Sequence, residues 1–530
     1  MLAAALLSPW SGIAQTRQQQ ELAVLRSFLL DTDFDWIDNG RLLGTITFHA
    51  DGTAAQNWIN VEHTWKFDAG QDLVIHSDGT RWVTRLKYRV ETRSFEGTRD
   101  KTSQVQDNIR TVLKPHECDA HGLQELVETK QYLQFSGSLT RCTGLSNGQR
   151  NYFDGVLANR RNQLADSRTR IEKTLSTPGA GLSINQMKEA FETLATDDAR
   201  SFRYQAALDD YRRMLHVVGP QMTDAEVALA EAHLHRYELL RSFPPQTVEI
   251  AADFAVQTRI NPVHQQEAPV EIGGKREFAV LDTRGSYCVM SRSMAARFGL
   301  VPIEGTMTSQ GMSGASFQVQ PALIKSLRIG KAELKNVIAL ITDDPLFTSQ
   351  YQTPFVLGYP VIAALGATTF SRDGVLTVKR EETPDNEGTS LWIDSGLPLV
   401  AAATFPVFRG DALLGGDGPR LFALDTGDGF SYFTDKYYAD HRNVFAGQPV
   451  EKALLAGFGG ASEFPALKYT RPVPLWFGST LVLYDRSYVF TEAIPANWGT
   501  FYGKLGMNLL LSSPSFTVDF RSMRMLVAPH

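Results

Sequence analysis

The strongest constraint on this chain is a motif that occurs twice: an apolar strand running into an aspartate. "FAVLDTRGSYCVMS" spans 278–291 and "ALDTGDGFSYFT" spans 423–434, and the two align without a gap from Asp282 and Asp425 onward. A single Asp-x-Gly turn after a strand is ordinary punctuation. Here the surroundings repeat as well. "SMAARFGL" follows the first copy and "KYYADH" the second. Further on, "FVLGYPVIAALGATTFSRDGVLTV" (355–378) and "GKLGMNLLLSSPSFTVDFRSMRMLV" (503–527) both read apolar–Gly–short helix–β-hairpin, with Phe370 and Phe516 opening the hairpins. Asp282 precedes Gly358 by 76 residues and Asp425 precedes Gly506 by 81, and a glycine-rich hairpin tip lies between in each copy, "GMSGAS" at 311–316 and "GFGGAS" at 457–462. Ordered self-similarity on this scale implies two related β-rich units in one chain.

The pattern resembles the retropepsin-like aspartic proteases of the pepsin clan, in a bacterial, single-chain form with two tandem lobes. The resemblance covers about residues 250 to 530 and implies a mainly β, multidomain fold ending in two retropepsin-like closed β-barrel lobes, 247–382 and 383–530. It implies an aspartic endopeptidase in which Asp282 and Asp425 form a catalytic dyad and Thr283 and Thr426 each bond across to the opposite loop. Gly427, Arg284 and Gly285 complete the turns beside the dyad, and Gly311, Gly314, Gly457 and Gly459 form two flap tips over an extended polypeptide substrate. The first copy departs from the family at Arg284, where glycine is the rule and where the second copy keeps Gly427. A guanidinium there favours an ionised Asp282 and opposes proton sharing. Asp428 is a candidate partner for Arg284. A catalytically inactive peptide-binding or scaffolding protein with the same two lobes is the alternative that Arg284 supports. A third match, Asp394-Ser395-Gly396 in "WIDSGLP", lies 31 residues before Asp425, too few for a flap and a Gly–helix segment, and reads as the opening turn of the second copy.

Residues 15–147 read as a β-rich domain, with hairpins around "ADGT" and "SDGT" and with Trp58, Trp65 and Trp82 on its strands as core or sheet-face residues. Residues 148–246 switch to helical spacing, Thr223 with Glu226 has the form of a capping box, and "FPP" at 243–245 ends the helices. His233 and His235 are two apart on a helix and read as surface residues, and the basic cluster "RNYFDGVLANRR" at 150–161 is eligible to cap the dyad from a pro-segment. Residues 1–14 read as an export signal without a basic n-region, which places the protein in the periplasm or outside the cell. No later segment approaches the roughly 20 apolar residues of a membrane span. A net charge of −6 gives no footprint for nucleic acid. Cys118 and Cys142 flank a loop and either pair or stay as thiols, and Cys288 reads as core. No Cys/His spacing calls for a metal, no motif calls for an organic cofactor, and two lobes in one chain imply a monomer with an internal pseudo-dimer.

Overall fold

Alternation dictates the first region. Along Asp33–Asp38 ("DFDWID") Phe34 and Trp36 are fully buried while the residues between them are half-buried, and His63–Phe67 follows the same period of two. The computed structural model describes residues 22–529 except 31, 57–62, 78–81, 102–108, 116–118, 143, 312–313, 348–352, 385–386, 395–398, 410–411, 459, 470–471, 485–486 and 495–500. From Asp33 to Pro115, successive strands pair antiparallel with their neighbours, and Ile109–Pro115 pairs back onto the first strand (Asp35 opposite Lys114), so the meander closes into a barrel. Closure removes the exposed edges that an open sheet leaves. Phe34, Trp36, Phe48, Trp65 and Phe95 fill its interior, joined by Leu29 from a helix over residues 22–30. Trp65 is core as expected, Trp82 lies 4.8 Å from the Arg99 guanidinium, and Trp58 lies outside the described residues.

The chain divides into two compact units, one of Met1–Gly122 with Gly137–Gly144, the other of Leu123–Ser136 with Leu145–His530. Helical structure begins earlier than its expected onset near residue 148: Ala120–Glu128 and Tyr132–Arg141 are helices. Leu123 and Val127, four apart and both buried, give the first of these its inward face. Cys142 is disulfide-bonded, Cys288 is a free buried thiol, and Cys118 lies outside the described residues.

In the second unit, capping boxes start three helices, at Ser146/Gln149, Ser183/Gln186 and Thr223/Glu226. The last is the one expected from sequence. Arg160 is buried and bonds Glu189 on the helix Ile184–Arg200, and Arg161 lies 4.9 Å from the Trp392 ring and donates to the Leu391 carbonyl of the strand Thr389–Ile393, so these two residues of the basic cluster pack their helix against its neighbours. His235 is exposed and bonds the Thr306 carbonyl at 2.8 Å. His233, expected at the surface, instead stacks on Tyr211 at 5.0 Å, and burial lowers its pKa to about 4, because its helix turns this face toward Tyr204–Val217. Among the described residues no helix is long and apolar enough to cross a membrane.

Beyond residue 246 the unit is β again. Gln266–Ile272, Lys275–Leu281, Phe355–Leu357, Cys288–Ser291, Ala332–Thr342, Ser316–Ile329 and Met307–Gln310 are successive neighbours in one sheet, which curls so that Glu271 meets Arg328. A second, larger sheet runs through Ala367–Ser371, Ser515–Asp519, Arg524–Val527 and Thr389–Ile393 to Ala412–Leu424 and Val450–Gly457. Within it Ala367–Ser371 and Ser515–Asp519 pair antiparallel with Phe370 opposite Phe516, and the two rings stack at 4.8 Å with planes 2° apart.

Candidate functional site

Each aspartate stands where a buried strand ends beside a short parallel neighbour. Leu281 pairs with Leu357, and the Asp282 N–H donates to the Leu357 carbonyl at 2.9 Å. Leu424 pairs with Leu505, and the Asp425 N–H donates to the Leu505 carbonyl, also at 2.9 Å. Both strands are fully apolar where they enter the core, as strands covered on both faces must be. The turn after each aspartate is held by the Gly–helix segment that follows: the Tyr359 N–H donates to the Gly285 carbonyl at 2.7 Å and the Met507 N–H to the Asp428 carbonyl at 2.9 Å. The approach is close enough that a Cβ on Gly358 would lie 2.6 Å from the Gly285 carbonyl oxygen, and one on Gly506 would lie 2.9 Å from that of Asp428.

The threonines join the two loops reciprocally. Thr283 Oγ1 donates to the Leu424 carbonyl at 2.9 Å and accepts the Thr426 N–H at 3.2 Å. Thr426 Oγ1 donates to the Leu281 carbonyl at 2.8 Å and accepts the Thr283 N–H at 3.1 Å. Both threonines are fully buried, so these bonds satisfy polar groups that solvent does not reach. Gly427 then lies against the opposite aspartate: a Cβ built on it would sit 2.3 Å from Asp282 Cγ. Gln265 fixes this loop from outside by donating to the Gly427 carbonyl at 2.6 Å.

The two carboxyls, both buried, differ in what they touch. Asp282 Oδ1 accepts the Arg284 and Gly285 N–H groups at 2.8 and 3.0 Å. Burial raises its pKa, opposed by those two donors and by the Arg284 guanidinium. Burial pushes Asp425 up to about 7, with the charge of Asp282 raising it further and Lys504 opposing. Lys504 was not singled out from the sequence. Its ammonium is buried, bonds Asp428 Oδ2, lies 3.8 Å from Asp425 Oδ2 and sits 4.6 Å from the Tyr432 ring centroid. The signal that reveals it is the contrast between "FVLG" and "GKLG" in the two copies, which puts Lys504 where the first has Val356. Asp428, a candidate partner for Arg284 from the sequence, bonds Lys504.

The expected flap tips are hairpin tips. Gly311 N–H donates to the Ala315 carbonyl at 2.9 Å and Gly314 N–H to that of Gly311 at 3.0 Å, between Met307–Gln310 and Ser316–Ile329. Gly457 pairs with Gly460 at the end of Val450–Gly457, and Gly459 lies outside the described residues. The two tips touch: a Cβ on Gly311 would lie 1.6 Å from the Phe458 carbonyl oxygen. The Phe458 ring packs with Phe347 at 5.1 Å and Phe317 at 5.6 Å, in a cluster with Val280 and Val356. Asp394 is buried at the end of Thr389–Ile393, bonded by Lys130 at 2.6 Å and by the Tyr132 hydroxyl, an anchorage for the helix at Tyr132; Ser395 and Gly396 lie outside the described residues.

Residues 268–361 match the family described as "Aspartyl protease", a stretch that includes Asp282, the first hairpin tip and Gly358 and stops short of Asp425. This stretch is aspartyl-protease-like. No curated protein matches the sequence. Among solved structures, basic 7S globulin from soybean is similar at 12% identity and a TM-score of 0.33, over 52% of this chain and 94% of that one. Conglutin gamma, a basic 7S globulin from lupine seeds, is similar at 11% identity and a TM-score of 0.34 over the same shares. A retropepsin-like aspartic protease from Rickettsia conorii is similar at 14% identity and a TM-score of 0.18, over 26% of this chain and 94% of that chain.

Proposed function

We propose that residues 247–530 work as a single-chain aspartic endopeptidase, with tandem retropepsin-like lobes at 247–382 and 383–530 and one dyad formed by Asp282 and Asp425. The observation that carries this reading is the reciprocal bonding of Thr283 and Thr426, which ties the two aspartate loops to each other through four buried hydrogen bonds. The aspartyl-protease match over residues 268–361 supports the same class.

Two buried carboxyls that feel each other's charge cannot both ionise, so the pair keeps one proton. The ionised member takes a proton from a bound water, whose oxygen attacks the scissile carbonyl carbon. The protonated member hydrogen-bonds the carbonyl oxygen as it gains charge. The C–N bond then breaks as the leaving nitrogen receives a proton, which yields a carboxyl and an amine terminus and restores the shared proton. An extended polypeptide segment would lie under the hairpins, bonded along their strand edges. Gly311 and Phe458 would first have to part. The threonine bonds act within the chain, which favours a monomer with an internal pseudo-dimer, and residues 1–14 support export to the periplasm or beyond. Arg284, beside Asp282, favours a second reading as a non-hydrolytic peptide-binding protein.

The test is hydrolysis of an unfolded protein across a range of pH by the parent, Asp282→Asn and Asp425→Asn proteins. Cleavage by the parent alone is expected. A folded parent that cleaves nothing but retains unfolded polypeptide would favour the second reading.

A further inference from the structure

The strand trios beside the two aspartates have the same register and different contents. Val280 pairs with Val356, and Val356 with Val289, in the first. Ala423 pairs with Lys504, and Lys504 with Tyr432, in the second. An ammonium in a buried strand requires a counter-charge. Asp428 supplies it from the position that Gly285 holds in the first loop, since the carbonyls of Gly285 and Asp428 accept the corresponding helix N–H groups. Lysine for valine and aspartate for glycine are therefore matched in charge and in contact. Asp428 is fixed at both oxygens, with Oδ1 accepting the Phe430 N–H at 2.8 Å and Oδ2 bonded by Lys504.

The geometry points to Asp428 as a positioning residue: it takes the hydrogen bond of the Lys504 ammonium and leaves it 3.8 Å from Asp425, a longer ion pair, so that Asp425 carries the dyad's proton while Asp282, with two amide donors on Oδ1, is the ionised base. This inference rests on the dyad reading proposed above. The charged groups that act on Asp425 are Asp282 and Arg284 from the first loop, Asp428 from its own turn and Lys504 from Gly503–Leu505. Tyr432 is the further titratable group beside them. Three carboxyls, two cations and one proton balance to neutrality, a condition that a buried site favours. Asp428 thus serves to neutralise a cation that would otherwise strip the proton from Asp425.

The experiment follows the alkaline limb of the hydrolysis profile together with the titration of Asp425, read from the carboxyl signals of protein labelled with carbon-13 aspartate, with Asp425→Asn giving the assignment. Asp428→Asn is expected to move both to lower pH by about one unit or more, because an unneutralised ammonium favours the ionised carboxyl. Lys504→Met is expected to move both to higher pH. The double variant, which removes the pair whole, returns toward the parent. Parental titration in either single variant overturns the inference, as does a double variant no nearer the parent than Asp428→Asn. Should Asp428→Asn fail to fold, the opposite shift in Lys504→Met and its reversal in the double variant decide the matter. If the parent hydrolyses nothing, the carboxyl titrations still read the arrangement: the predicted order would then uphold the assignment of Asp428 while the protease reading falls, and its absence would overturn the assignment.

Discussion

The loops at Asp282 and Asp425 share a backbone and differ in chemistry. Each aspartate N–H meets the carbonyl of the neighbouring strand at the same distance, each threonine makes the same pair of bonds, and each following helix holds the turn through one N–H. Around that frame the first loop is lined by valines and reached by Phe458 from the opposite hairpin. The second carries a buried ion pair, and Tyr432 and Ala423 pack in a cluster with Tyr132 and Trp392. The backbone has to be near-symmetric because each loop is the other's hydrogen-bond partner. The side chains are under no such demand and have diverged, which is how one frame holds two carboxyls in unlike environments.

Four sets of substitutions would sharpen or break this comparison. The largest effect is expected at the threonines. Thr283→Val and Thr426→Val each leave a buried carbonyl and a buried N–H unsatisfied, a loss of about 2–6 kcal/mol at roughly 1–3 per group. Thermal unfolding should give nearly equal losses for the two, and clearly unequal losses would mean that the loops do not support each other reciprocally. Gly358→Ala and Gly506→Ala come next, since each places a Cβ against a backbone carbonyl of the turn it supports, and overpacking of this kind costs about 1–3 kcal/mol. Denaturant midpoints should fall together.

A third prediction concerns pH. Asp425 titrates from 3.8 unfolded to about 7 folded, so burial of its neutral form adds stability that is complete below the unfolded value and lost as the pH rises through the folded one. Asp425→Asn should flatten the fall in stability between these limits, and an unchanged slope would exclude Asp425 as the group responsible. The smallest effect is expected at Arg284, a half-buried residue whose backbone N–H makes the bond to Asp282. Arg284→Ala should change stability by under about 1 kcal/mol. It should also raise the pKa of Asp282, because the guanidinium favours that carboxylate. Gly427→Ala at the corresponding position drives a Cβ into Asp282 and should be far more damaging.

Much of the backbone frame was legible in the sequence. The apolar run into Asp282 and Asp425, the threonines and the later Gly–helix segments are local patterns, and their repetition gave them weight. What escaped was tertiary. Closure of the first barrel depends on strands at opposite ends of the region, Asp33–Asp38 and Ile109–Pro115, and no local signal records that pairing. The helices at Ala120–Glu128 and Tyr132–Arg141 are short, and the preceding β pattern masked their period. Lys504 was visible only as a charge in a buried strand, and its meaning depends on Asp428, 76 residues earlier. Phe458 sits at a hairpin tip, where sequence says little about what the ring will meet.

The most direct test of the central claim, that one chain supplies both aspartates to one site, is to mix separately purified Asp282→Asn and Asp425→Asn proteins and measure hydrolysis of an unfolded substrate. The threonine bonds join loops of the same chain, so each variant contains a broken pair and the mixture should be as inactive as either alone. Activity restored by mixing would mean that intact loops from different chains pair with each other, and would contradict the account.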